Sequence, residues 1–197
     1  MLMHNSIRVV GLDPSLRNWG VSKGSFDLYT NKLTVDTLDV INPVLTKNKQ
    51  VRQNSLDLES AKQLFGQVYT HIKDAHVVCV EVPHGSQSAR AMASYGICVG
   101  VLGAIRASAV PFIEVSAAEV KLGSVGKKTA TKQEMIQWAT NNHPEAPWPT
   151  YKEHGKDLIS EAKAEHMADA IASIYAGRET NHFQQLIQIL KANHANH

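Results

Sequence analysis

Val9-Val10-Gly11-Leu12 is a short apolar run that ends on an acid, Asp13, before the turn Pro14-Ser15; apolar sequence resumes at Gly20-Val21. A carboxylate at the end of an otherwise buried strand is costly unless something positive pairs with it. A second run, Val77-Val78-Cys79-Val80-Glu81-Val82, is β-branched and interrupted only by Glu81. A third acid, Asp169, lies in the alanine-rich helical stretch Glu165-His166-Met167-Ala168-Asp169-Ala170. The chain must therefore fold so that two buried strands and one helix can each tolerate an acid. The economical solution is to bring all of them to one place, which points to chemistry rather than packing.

The spacing along the chain predicts the elements that would do this. Strands are expected over 7–13, 18–29 and 32–42, with a hairpin turn inside Asp27-Leu28-Tyr29-Thr30-Asn31-Lys32. Leu56, Leu58, Ala61, Leu64, Phe65, Val68, Tyr69 and Ile72 recur at helical spacing, so an amphipathic helix covers 50–73. Residues 76–82 read as a buried parallel strand, and a helix follows from Ser88 to Ser108. That helix is rich in small residues (Ala89, Ala91, Ala93, Gly96, Gly100, Gly103, Ala104), which allow close helix approach either in the core or across a dimer interface. A strand is expected over 111–115. Ser116 with Glu119, and Thr131 with Glu134, are capping boxes that open two helices, the second ending near Asn141. Pro144, Pro147, Trp148, Pro149 and Gly155 make 143–156 an irregular loop. A helix over 158–177, a short helix after Thr180 and a loose tail complete the chain. The order ββ(β)αβαβαα implies an α/β fold: a mixed sheet of about five strands with helices on both faces, one domain over 1–178, and a C-terminal helix and tail over 179–197.

Composition narrows the class. At 197 residues the chain suits one domain with a real core. Its longest apolar stretches are broken well before the length of a membrane helix, and residues 1–6 lack a signal-peptide pattern. Cys79 and Cys98 fall in apolar segments and read as reduced core residues of a cytoplasmic protein. The net charge of +2 alone says little about partners. Its distribution says more, because Lys121, Lys127, Lys128 and Lys132 cluster, while Arg8, Arg17, Lys23 and Arg90 lie near the acids in sequence.

Asp13 and Glu81 belong on adjacent parallel strands, and His166 and Asp169, three apart, share a helical face. Carboxylates packed together repel one another unless divalent cations intervene, and oxygen-rich sites of this kind suit magnesium or manganese. Two such ions about 4 Å apart activate a water and stabilise the leaving oxygen in phosphodiester cleavage.

Val10-Gly11-Leu12-Asp13-Pro14-Ser15-Leu16 with Trp19-Gly20 resembles the opening motif of the RuvC-type Holliday junction resolvases of the RNase H-like superfamily. Val80-Glu81 resembles their second motif, and Ser88-Ala89, Tyr95-Gly96 and Gly100-Val101 resemble the helix through which they dimerise. Ser116 through Val120-Lys121, then Gly126-Lys127-Lys128 and Lys132, resembles their lysine-bearing, DNA-contacting segment, and His166 through Ala172 their closing helix. The resemblance spans about 7–178 in the right order and is most specific at the first and last motifs. It implies an endonuclease that resolves four-way and other branched DNA by paired nicks. Asp13, Glu81, His166 and Asp169 would be catalytic and hold magnesium, two ions per site, with manganese able to substitute. Lys121 and Lys132 would contact DNA first. Lys127 and Lys128 would touch the backbone, and Arg90 would either guide the cleaved strand or serve the surface. A second copy of the chain would join through 88–108, with no membrane involved. The extended form is typical of phage-encoded relatives, which would act in the host cytoplasm.

The departures have consequences. Many members carry two aspartates in the last motif where this chain has His166 and Asp169, so His166 is either a ligand or a proton shuttle for the attacking water. Val82, Pro83 and His84 occupy the stretch where bacterial members commonly place an aromatic. The 143–156 loop exceeds the family norm; Trp148 and Tyr151 either stack on bases or cover the end of the core. Near Thr131 the helix N-terminus would add free amides to bind phosphate. His71, His76, His143, His154, His182, His194 and His197 have no ligand spacing. An RNase H-like nuclease on flap, three-way or RNA–DNA substrates, or a catalytically weak DNA-binding paralogue, fits the same residues. An actin-like kinase would need glycine-rich phosphate loops and a second domain, for which 197 residues give no room.

Overall fold

The computed structural model describes residues 5–108, 110–153 and 155–195; residues 1–4, His154 and His197 lie outside them, as does the side chain of His194. Strands β1 (Ser6–Asp13), β2 (Trp19–Asp27) and β3 (Leu33–Ile41) form an antiparallel meander, followed by helix α1 (Gln53–Ile72). The β2–β3 turn lies where expected. Asp27 Oδ1 accepts from the backbone N–H of Tyr29 and Thr30 at 2.9 and 2.7 Å, and Asn31 takes the left-handed conformation, φ 56°. Strand β4 (Val77–Glu81) then pairs parallel to β1, helix α2 (Ala89–Ala107) crosses over, and β5 (Phe112–Val115) pairs parallel to β4. The sheet order is β3-β2-β1-β4-β5, the mixed five-stranded sheet the sequence predicts.

Each face of the sheet has its own core, set by the two-residue period of the strands. Val10 and Leu12 of β1, with Val78 and Val80 of β4, pack against Leu64, Val68 and Ile72 of α1 and Cys98, Leu102 and Ile105 of α2. Ile7 and Val9, with Val77 and Cys79, pack on the opposite face against Ala168, Ile171, Ala172 and Ile174 of helix α5 (Glu161–Arg178). Both cysteines are buried and unbridged. Helices α3 (Ala117–Ser124) and α4 (Lys132–Asn142) pack beside α5, each opened by the expected capping box.

The sequence expectation fails in two places. Residues 143–156 are not wholly irregular, and α5 does not begin at 158. Strands β6 (Thr150–Glu153) and β7 (Lys156–Ile159) form a separate antiparallel hairpin that runs into α5. The prolines confine irregular backbone to the first half, while Gly155 (φ 76°) supplies the left-handed residue a tight hairpin turn needs. Tyr151 is exposed on this hairpin, whereas Trp148 packs against the core and its indole N–H donates to the His143 carbonyl at 2.8 Å. His143 itself is buried, bonded to Glu145 at 3.1 Å and to the Tyr175 hydroxyl at 3.0 Å. The C-terminal helix is longer than the short one expected: α6 (Asn181–Ala195) has 15 residues. Its Phe183 and Ile187, one turn apart, are buried, and Phe183 meets Phe26 edge-on at 5.2 Å. Among the described residues no helix is long and apolar enough to cross a membrane.

Candidate active site

Strand parity decides where the acids point. Asp13 continues the Ile7, Val9, Gly11 set and Glu81 the Val77, Cys79 set, so both carboxylates leave the sheet on the α5 face. Leu12 pairs with Val80, which places Asp13 and Glu81 side by side at the ends of neighbouring parallel strands. Helix α5 must come very close to meet them. A Cβ on Gly11 would run into the carbonyl oxygen of Ala170, and one on Gly20 into that of His166, so these two motif glycines set the approach distance. The Ser173 hydroxyl pins the helix by donating to the Cys79 carbonyl at 3.1 Å.

Close approach brings His166 and Asp169 against the two strand acids. His166 Nδ1 lies 2.8 Å from Asp13 Oδ2, and the Asp13 carboxylate holds the imidazole above its ordinary pKa. Burial pushes Asp13 up as well, with the His166 hydrogen bond pulling against it. Glu81 is raised to about 7, first by burial and then by the Asp13 charge, with Lys121 pulling the other way. Asp169 is raised to about 8 by burial and by repulsion from Asp13, Glu81 and Glu165, which outweigh the pull of His166. All four sequence-predicted residues thus act electrostatically on one small region.

The donor chemistry of that region fits a hard divalent cation: three carboxylates and an imidazole, each acid driven toward its neutral form chiefly by burial. A cation is what would let them ionise together. Among the described residues no three His, Cys, Asp or Glu side chains are drawn in around a single ion position.

The cations divide into two groups. Lys121 on α3 is close enough for Glu81 to feel its charge, and neither it nor Lys128 forms an ion pair among the described residues. The other three are already engaged. Lys132 Nζ binds Glu165 Oε1 at 2.6 Å, and Lys127 pairs with Glu134. Arg90 forms a bidentate pair with Asp57 at 2.6 and 2.7 Å, on the α1–α2 side of the sheet rather than on the α5 face. Two of the amides at the start of α4 are also used. Glu134 N–H donates to Thr131 Oγ1, and the Glu134 carboxylate accepts from Thr131 N–H, so that helix end presents a carboxylate.

Sequence reasoning passes over Glu165 as a site residue. It lies four residues before Asp169, hence on the same helical face, and its charge reaches Asp13, His166 and Asp169. That i,i+4 spacing is the signal that could have found it.

No protein-family model matches the chain, and no curated protein matches it by sequence. Solved structures do match by fold. RuvC from Thermus thermophilus superposes with a TM-score of 0.61 at 18% identity, covering 87% of this chain and 96% of that one. T. thermophilus RuvC in complex with a Holliday junction substrate superposes with a TM-score of 0.59 at 18% identity, covering 87% and 95%. This chain shares the fold of RuvC over most of its length.

Proposed function

We propose that this protein is a divalent-metal-dependent, structure-selective DNA endonuclease that resolves four-way and related branched junctions by paired symmetric nicks. The observation that carries the reading is the meeting of Asp13, Glu81, His166 and Asp169 on the α5 face, with Lys121 and Lys132 beside them, in a RuvC fold. Asp13, Glu81, His166 and Asp169 are the residues that would hold magnesium, or manganese in its place, which supplies water activation and charge stabilisation at a scissile phosphate.

The chain's own residues do the rest. The contact between Asp13 and His166 Nδ1 fixes the ring and leaves Nε2 as the nitrogen that would hold or pass a proton. Lys121 and Lys132 bind phosphate as point charges and steer the strand toward the acids. Gly11 and Gly20 keep α5 close enough for one imidazole to reach the strand acid. A second copy supports symmetric cutting, because an isologous pair carries two equivalent sites. The outward face of α2 suits that partner: Met92 and Val99 are each 46% exposed beside Gly96, Gly100 and Gly103, above which nothing packs.

The test is cleavage of synthetic four-way, three-way, flap and RNA–DNA substrates with mapped nick positions, in magnesium and in manganese. Paired, symmetry-related nicks in the four-way junction are expected, and Asp13→Asn should bind that junction and not cut it. Cutting by Asp13→Asn would overturn the site. Cleavage confined to flaps or RNA–DNA hybrids would replace the substrate, and metal-stimulated cleavage of nothing would leave a binding protein.

A further inference from the structure

Lys132 is three-quarters exposed, at the first position of α4, yet its ammonium rests 2.6 Å from the Glu165 carboxylate, which is only one-quarter exposed. Glu165 adjoins His166, and its charge bears on Asp13, His166 and Asp169. One of the two lysines beside the acids is therefore already occupied by an internal anion. A carboxylate and a phosphate oxygen offer an ammonium the same bond, so one can replace the other. An ion pair this open to water is weak enough to exchange.

We propose that Glu165 is a positioning residue that occupies Lys132 as a phosphate surrogate in the free protein and yields it to the substrate backbone on binding. The proposal rests on the nuclease reading above, since it requires a nucleic-acid phosphate as the incoming anion. It has two consequences. Substrate binding includes a competition within the protein, so affinity is lower than the lysines alone would give. And the phosphate must sit where Glu165 now sits, next to His166, so the exchange admits only a strand that reaches the acids.

The test is a double-mutant cycle on a labelled four-way junction, with EDTA present so that neither cleavage nor metal binding contributes. Glu165→Gln removes the competing charge and keeps the side-chain shape. It should bind about two- to five-fold tighter than the unaltered protein, the range expected when an exposed ion pair no longer has to be broken. In a Lys132→Ala background the same substitution should change affinity by less than about 1.5-fold, because no lysine is left to release. Unchanged or weakened binding by Glu165→Gln would overturn the exchange. So would a gain that persists without Lys132, which would show a general effect of one fewer negative charge. Glu165→Ala, which leaves no oxygen to hold Lys132, should show the same gain and the same dependence on Lys132. Failure of the unaltered protein to bind branched DNA would instead refute the nuclease reading, so the two failures are distinct.

Discussion

Replacing Asp169 by asparagine should make the metal-free protein more stable while abolishing cleavage. Asp169 rises from 3.8 to about 8, chiefly through burial and then through the charges of Asp13, Glu81 and Glu165. An acid whose pKa is raised by folding binds its proton more tightly in the folded state. Its contribution is therefore neutral below the unfolded pKa and turns against folding as pH rises toward the folded one. From pH 3.8 to pH 7 the folded chain holds a proton that the unfolded chain has released, at 1.36 kcal/mol per pH unit. Isolated, that is about 4 kcal/mol against folding at neutral pH. Sharing of the repulsion among Asp13, Glu81 and Asp169 brings the gain expected from one substitution to about 1–3 kcal/mol, a sizeable share of a typical domain's stability. At pH 4.5 the medium is less than one pH unit above the unfolded pKa of 3.8, so little of the penalty has accumulated, and the gain should shrink to below about 1 kcal/mol. Denaturant unfolding of both proteins in EDTA, at pH 4.5 and pH 7, measures it. Added magnesium should raise the midpoint of the unaltered protein at pH 7 and do less for Asp169→Asn. A metal-free Asp169→Asn protein that is less stable at pH 7, or a difference that does not change with pH, would refute the electrostatic account of the site.

Gly20→Ala would press a methyl into the His166 carbonyl, and Gly11→Ala would do the same at Ala170, so each should destabilise by about 1–3 kcal/mol or more. Gly20→Ala should also depress cleavage by displacing His166, which thermal unfolding and nicking assays on the same samples would separate. Arg90→Ala strands Asp57, which is only 8% exposed, and should destabilise by about 1–2 kcal/mol while leaving junction affinity within about two-fold; a large loss of affinity with unchanged stability would return Arg90 to the DNA. Phe183→Ala removes a fully buried ring and should lower stability by about 3–4 kcal/mol in denaturant titration, a loss that a loosely attached C-terminal helix would not show.

The parts of the site that depend on strand period and helix period are legible in the sequence. Asp13 and Glu81 end apolar runs whose two-residue alternation fixes their face, and the three-residue step from His166 to Asp169 fixes theirs. The glycines of the first motif are also visible as residues, but their reason is not. That reason is the carbonyl oxygens of Ala170 and His166, roughly a hundred and fifty residues further along the chain, which no local pattern announces. The hairpin at β6–β7 is hidden because the prolines before it dominate a window that also contains Tyr151, Leu158 and Ile159. Phe183 likewise sits in a helix whose polar surroundings suggest a tail, and its packing into the α5-face core, edge-on to Phe26 of β2, is set by tertiary structure.

Charge is the least legible property, and for a physical reason. A lysine cluster in sequence states how many cations are present, not which are free, and freedom depends on carboxylates brought in by folding. Lys127 meets Glu134 because both serve the start of α4. Lys132 meets Glu165 only because α4 and α5 pack side by side. Of the lysines that look alike in the sequence, Lys121 and Lys128 form no ion pair among the described residues while Lys127 and Lys132 are held. An electrostatic surface counted from sequence would therefore overstate the attraction that the free protein offers a phosphate backbone. The difference is largest beside the acids, where Glu165 both engages a lysine and adds to the repulsion on Asp169. A phosphate that takes Lys132 leaves Glu165 without its counter-charge and adds to the repulsion on the acids, which a divalent cation arriving with it would offset. Metal and DNA should therefore bind with positive coupling, and the Glu165–Lys132 pair is the element through which that coupling would be tuned.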